Sequence, residues 1–171
     1  MGKVPVLELD NGTFIHQAFA IIRHLARQSS GLKLEGDDFF ATAQVDQWMD
    51  SLQADCLAPL LNYLGMVMGH TKYDATLYNA SEKLCEKALR MFNDHLKTRT
   101  FVVGYQITLA DIALASMLIP LYRYLLGPKH RKKYPNLTRH FDYMVHQPSF
   151  QKVVGRVWLC EVALRPLGCK K

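Results

Sequence analysis

Thr108-Leu109-Ala110-Asp111 has the spacing of a helix-capping box. The Thr108 hydroxyl can accept from the backbone N–H of Asp111, and the Asp111 carboxylate can reach back to the N–H of Thr108. This chemistry starts a helix; it does not turn over a substrate. The helix it opens is unusual, because Leu109 to Ile119 is apolar on nearly every side. A buried helix end has no water for its four free N–H groups, so losing the cap should cost about 0.5–2 kcal/mol, towards the upper half.

Other reactive residue types form no recognisable machinery. The seven histidines are scattered, and no pair has metal-ligand spacing with a supporting carboxylate or cysteine. Cys56, Cys85, Cys160 and Cys169 lie far apart with no C-x-x-C pair, so they read as free thiols, small and apolar. No Gly-rich phosphate loop or nucleophile elbow occurs. Lys129-His130-Arg131-Lys132-Lys133 reads as a solvated loop. Contact with RNA or an acidic partner is the alternative there, without the aromatic platform that single strands favour.

Charge divides the chain. Residues 1–96 carry 8 Lys/Arg against 12 Asp/Glu, and residues 97–171 carry 13 against 3. The net values, −4 and +10, suit nucleic acid, an acidic partner or two mutually docking surfaces, and alone select none of these. The first residues are too poor in apolar sequence for a signal peptide, and no run is long enough to span a membrane, so a soluble cytoplasmic protein is expected.

The elements that must position these residues follow from periodicity. Val6 to Leu9 and Thr13 to Ile15 flank Asp10-Asn11-Gly12, a strong hairpin signal. A helix follows with Phe19, Ile22 and Ala26 on one stripe and Ile21 and Leu25 beside it, ended by Ser29-Ser30-Gly31. From Asp37 onward the pattern is helical. Val45 to Val67 predicts one long helix kinked at Pro59. Asp74 to Lys97 predicts a second, with Leu77, Leu84, Ala88, Met91, Phe92 and His95 inward, forming an antiparallel pair with the first. The apolar helix from Leu109 lies at the centre, kinked at Pro120 and stopped at Gly127-Pro128. A helix after Pro135-Asn136 carries Leu137, Phe141, Met144 and Val145, and a last one runs through Phe150, Val153, Val154 and Val157. The fold class is mostly α: a hairpin and helix over residues 1–30, then an all-helical bundle over 37–165.

In that context, Phe101-Val102-Val103-Gly104-Tyr105-Gln106-Ile107-Thr108-Leu109-Ala110-Asp111 resembles the folding signature of the glutathione-transferase C-terminal domain. Gly2-Lys3-Val4-Pro5-Val6-Leu7 resembles the cis-proline segment and third strand of the thioredoxin-like half, which makes a cis bond at Pro5 an expectation of the resemblance. Tyr134-Pro135-Asn136-Leu137-Thr138-Arg139-His140-Phe141, Gln147-Pro148-Ser149-Phe150 and Val153-Val154-Gly155-Arg156-Val157-Trp158-Leu159-Cys160-Glu161 narrow it towards the gamma-subunit family of eukaryotic elongation factor 1B. That resemblance implies a non-catalytic cytosolic scaffold in the complex that recharges elongation factor 1A with GTP, binding the exchange-factor subunit. Residues 1–30 then correspond to a truncated thioredoxin-like remnant. The family's Lys-rich linker and second domain have no counterpart in these residues, so a fragment and a naturally shortened member both fit.

The resemblance also locates a thiol site. In glutathione transferases an acidic residue or Gln followed by Ser, opening the third helix, holds the γ-glutamyl carboxylate. The matching residues here are Gln17 and Ala18, so the serine hydroxyl is absent, while Val4 could still pair its backbone with a cysteinyl group. Half of a glutathione site is therefore expected, with no residue in this chain to activate the thiol and no cofactor. The alternatives are a working glutathione transferase and a scaffold of a multi-aminoacyl-tRNA-synthetase complex. A hairpin that short exposes an edge, so self-association or a partner covering it is expected.

Overall fold

The first turn is set by Asn11-Gly12. Gly12 takes φ +76°, which glycine adopts without steric cost. Its N–H donates to Leu9 O at 2.8 Å, and Leu9 N–H donates to Thr13 O at 2.8 Å. The strands it joins, β1 (Val6–Glu8) and β2 (Phe14–His16), pair antiparallel, Val6 with His16, Leu7 with Ile15 and Glu8 with Phe14. A computed structural model of the chain describes residues 2, 4–29 and 31–168. Of the residues singled out above, Lys3, Ser30 and Cys169 lie outside that set.

Helix α1 (Ala18–Gln28) follows the hairpin and buries Ile21 and Ala26. It is tied to α2 (Phe39–Ser51) by Arg23, whose Nε meets Asp46 Oδ1 at 2.7 Å and whose second guanidinium nitrogen meets Asp50 Oδ1 at 3.0 Å. Asp38 caps α2 by accepting from Ala41 N–H at 2.7 Å.

The helix expected from Val45 to Val67 is interrupted earlier than its proline. A π-helical turn (Leu52–Cys56) separates α2 from α3 (Leu57–Val67). Pro59 has no N–H for the carbonyl of Asp55 and its ring crowds that carbonyl, so the turn ahead of it widens. Helix α4 (Ala75–His95) packs antiparallel on α3, with a buried stripe that keeps Phe92 of the expected one but not Leu77, Leu84 or Met91. Tyr78, Ser81, Cys85, Leu89 and Phe92 are buried, whereas Leu77, Leu84 and Met91 are exposed. The apolar arc of α4 is wider than its buried stripe. Tyr63 of α3, against Tyr78 at 5.0 Å between ring centroids, marks which part turns inward.

Helix α5 (Leu109–Tyr124) is the centre of the bundle, with Ala110 and Ala115 wholly buried and Leu114 nearly so. It continues through Pro120. The basic run is not a loop: Pro128 begins helix α6 (Pro128–Lys133), since a missing N–H costs nothing at a first helical position. Helix α7 (Pro135–Val145) stacks Phe141 on Tyr122 of α5, 4.0 Å between centroids and 5° from parallel. Helix α8 (Pro148–Val154) ends before Val157, through which it was expected to run, and buries none of its residues, Val153 being 84% exposed. Gly155, at φ +70°, then turns the chain into an extended strap that crosses the end of α5.

Candidate functional site

At the open end of the hairpin, the register carried past its last pair runs Pro5 towards Gln17 and Val4 towards Ala18. The Val4–Pro5 bond is cis. Gln17 stands at the N-terminus of α1 with φ +74°, the one described non-glycine residue at positive φ. Such a backbone costs on the order of 1–3 kcal/mol and is typical of sites that aim peptide groups at a ligand. The Gln17 side chain makes no cap hydrogen bond, and Val4, Gln17 and Ala18 are all exposed. The end of α1 therefore offers first-turn N–H groups and a primary amide, but Ala18 contributes no hydroxyl.

The capping box is the hub of a buried polar cluster. Asp111 Oδ2 accepts from Thr108 N–H at 2.9 Å and from the Thr108 hydroxyl at 2.8 Å. Its Oδ1 accepts from Val102 N–H and from His140 Nε2, each at 2.8 Å. Asp111 and His140 are both fully buried, and His140 Nδ1 has no partner among the described residues. One carboxylate thus joins the loop before α5, the start of α5 and the middle of α7. Sequence reasoning found Thr108 and Asp111 but missed His140 and Val102. The available signal was the position of His140 on the buried stripe of Leu137, Phe141 and Met144.

The described thiols are not poised as nucleophiles, and two cations of the basic run are tied to the fold. Burial pushes the Cys56 thiol up to about 11 and the Cys85 thiol up to about 12, with Asp55 adding to the first and Cys56 to the second. Burial also raises Cys160, against the lowering pull of Arg131. All three are protonated near neutrality and poor nucleophiles. In α6, Arg131 donates to Leu126 O at 3.1 Å and Cys160 O at 2.7 Å, and Lys133 meets Glu86 at 2.8 Å.

The sequence pattern of the glutathione S-transferase C-terminal domain matches residues 56–148. This chain belongs to that family. The transferase-like domain is also similar to elongation factor 1-gamma of Danio rerio, 35% identical over 161 residues, 94% of this chain and 36% of that protein. A probable elongation factor 1-gamma of Arabidopsis thaliana is 34% identical over 171 residues, all of this chain and 41% of its own length. The chain thus spans well under half of these relatives. Among solved structures, the GST-like domain of elongation factor 1-gamma from Saccharomyces cerevisiae aligns with TM-score 0.88 at 24% identity, over 96% of this chain and 78% of that one. A glutathione S-transferase from Methylobacillus flagellatus, with GSH bound, aligns at 0.73 and 28% identity, over 88% and 75% of the two chains.

Proposed function

We infer that this domain is the transferase-like module of an elongation factor 1B gamma-like subunit. It works as a non-catalytic cytoplasmic scaffold that binds the nucleotide-exchange subunit. The observation that carries this reading is the likeness to elongation factor 1-gamma along 94% of the chain. The site chemistry agrees with it, since Ala18 has no hydroxyl for a γ-glutamyl carboxylate and the described thiols sit high. The partner or a second copy also covers the outer edge of β1. Among the described residues β1 pairs with β2 alone, and Val4, Val6 and Phe14 are exposed beside it. A two-stranded ribbon with an open edge invites such pairing.

The deciding experiment presents the immobilised domain with the purified exchange subunit of elongation factor 1B and, in parallel, with aminoacyl-tRNA synthetases. Saturable capture of the exchange subunit supports the scaffold; capture of synthetases in its place refutes it. Sedimentation at low and high salt tests the edge. A monomer under all conditions, with β1 amides exchanging freely in the exchange-subunit complex as well, would show the edge to be bare.

The enzyme reading has one observation in its favour, the strained Gln17 backbone at a helix N-terminus in a fold shared with a glutathione-bound relative. Conjugation of an electrophile to glutathione should nonetheless stay at the uncatalysed rate. A saturable rate abolished by Gln17→Ala would establish the transferase.

A further inference from the structure

Most carboxylates of residues 1–96 are engaged within the fold. Asp46 and Asp50 hold Arg23, Glu35 holds Arg27, Asp37 holds Lys33, and Glu86 holds Lys133. Asp38 and Asp74 cap α2 and α4, Glu82 accepts from Tyr63, and Asp94 accepts from Asn93. Only Glu8, Asp10 and Asp55 of that half stay unengaged among the described residues. The basic half has no internal match for its excess.

That excess gathers where the strap crosses the end of α5. Cys160 N–H donates to Tyr122 O at 2.9 Å and Leu164 N–H to Tyr124 O at 2.7 Å, satisfying carbonyls that the last turn of α5 leaves unpaired. Arg131 clamps the strap from α6 through Cys160 O and Glu161. Val157, Cys160, Ala163 and Pro166 turn inward, one residue in three, the period of an extended polyproline-type chain. The outward positions mix cations with large apolar groups. Arg156 stacks over the Trp158 ring at 4.3 Å, Arg165 is exposed, and Lys129 and Lys132 of α6 lie exposed at the same end of the molecule. Trp158 is 66% exposed, Val162 79% and Leu167 89%.

We propose that this strap and α6 form a docking surface for an acidic, amphipathic segment of a partner protein, its carboxylates meeting Lys129, Lys132 and Arg165 and its apolar side chains meeting Trp158 and Val162. RNA fits less well. A nucleic acid would use the cations and the indole ring but would leave the aliphatic groups in water. Burying those groups against an apolar partner face is favourable, and the cations set orientation and encounter rate. The inference stands apart from the scaffold reading, because the exchange subunit could bind through the hairpin edge with this surface still vacant.

The test is fluorescence anisotropy on the whole chain with two labelled probes of equal charge, a 20-residue peptide of Glu/Asp interspersed with Leu/Phe and a single-stranded uridine oligomer. The peptide should bind more tightly, and binding should weaken with added salt. Charge reversal at Lys129, Lys132 and Arg165 to Glu should weaken it at least tenfold, and Trp158→Ala with Val162→Ser several-fold. Reversal of Lys83, Lys87 and Arg90 on α4, an equal change of net charge elsewhere, should leave it within twofold. Melting curves identify any variant that has lost its fold. Tighter binding of the RNA probe, equal loss in the α4 variant, or no effect of removing Trp158 and Val162 would each overturn the proposal.

Discussion

Replacing Asp111 with Ala removes the acceptor for four donors at once. Val102 N–H, Thr108 N–H, the Thr108 hydroxyl and His140 Nε2 all lie 2.8–2.9 Å from its oxygens, in a region closed to solvent. A buried donor left without a partner costs about 1–3 kcal/mol. Two backbone N–H groups and one imidazole would be orphaned, and the hydroxyl can rotate towards another acceptor. The expected loss is therefore about 3–9 kcal/mol, against a total stability of about 5–15 kcal/mol for a domain of this kind. That exceeds the loss of an N-cap alone, about 0.5–2 kcal/mol, because Val102 and His140 belong to no cap. Asp111→Asn keeps the shape but turns one oxygen into a donor facing donors, so about half the loss should remain. Urea unfolding followed by circular dichroism measures both, provided the slope with denaturant stays that of the parent. A loss below about 1 kcal/mol for Asp111→Ala would mean that water reaches the start of α5, and the picture of a sealed junction would be wrong.

Three further expectations are simpler to state. Arg23→Gln should free α1 from α2 at a cost of about 0.5–1.5 kcal/mol, since Arg23 is only 19% exposed; amide exchange should rise in α1 and stay unchanged in α5. Thiols near 9.0 when unfolded and near 11 and 12 at Cys56 and Cys85 when folded contribute stability that is complete below pH 9 and lost as pH climbs towards 12. The fall in urea midpoint between pH 8 and 11 should accordingly be shallower in the Cys56→Ala, Cys85→Ala variant, and an identical slope would refute the burial argument. Arg131→Ala should release the strap, so that trypsin cuts at Arg156 much faster while the melting temperature of the bundle moves by only a few degrees.

Local chemistry was readable where one residue type has one use. Asn11-Gly12 marked the hairpin, Thr108 and Asp111 the start of α5, and the all-round apolar run its central place. Reading failed where several neighbours compete for one role. The apolar arc of α4 offers two stripes, and only the approach of Tyr63 selects the one with Tyr78 and Cys85. The charge of Lys129 to Lys133 hid a helix because Pro128, read as a stop for α5, also serves as a start for α6. The strap lacks any helical or alternating period, and its every-third pattern needs the end of α5 to give it meaning. At the candidate thiol site the sequence supplied Val4, Gln17 and Ala18 through resemblance, whereas the positive φ of Gln17 is a property of the turn that no side chain announces.

The widened turn between α2 and α3 also behaves as an inserted residue. A π turn holds about one residue more than an α turn for nearly the same rotation, so deleting one residue from Leu52–Cys56 would restore an unbroken ladder of hydrogen bonds and leave the phase of everything beyond it nearly unchanged. Leu60 would stay in the core, Tyr63 beside Tyr78 and Leu61 in solvent. The surplus residue is thus absorbed within the turn itself, and a deletion there should leave the packing of α3 on α4 intact.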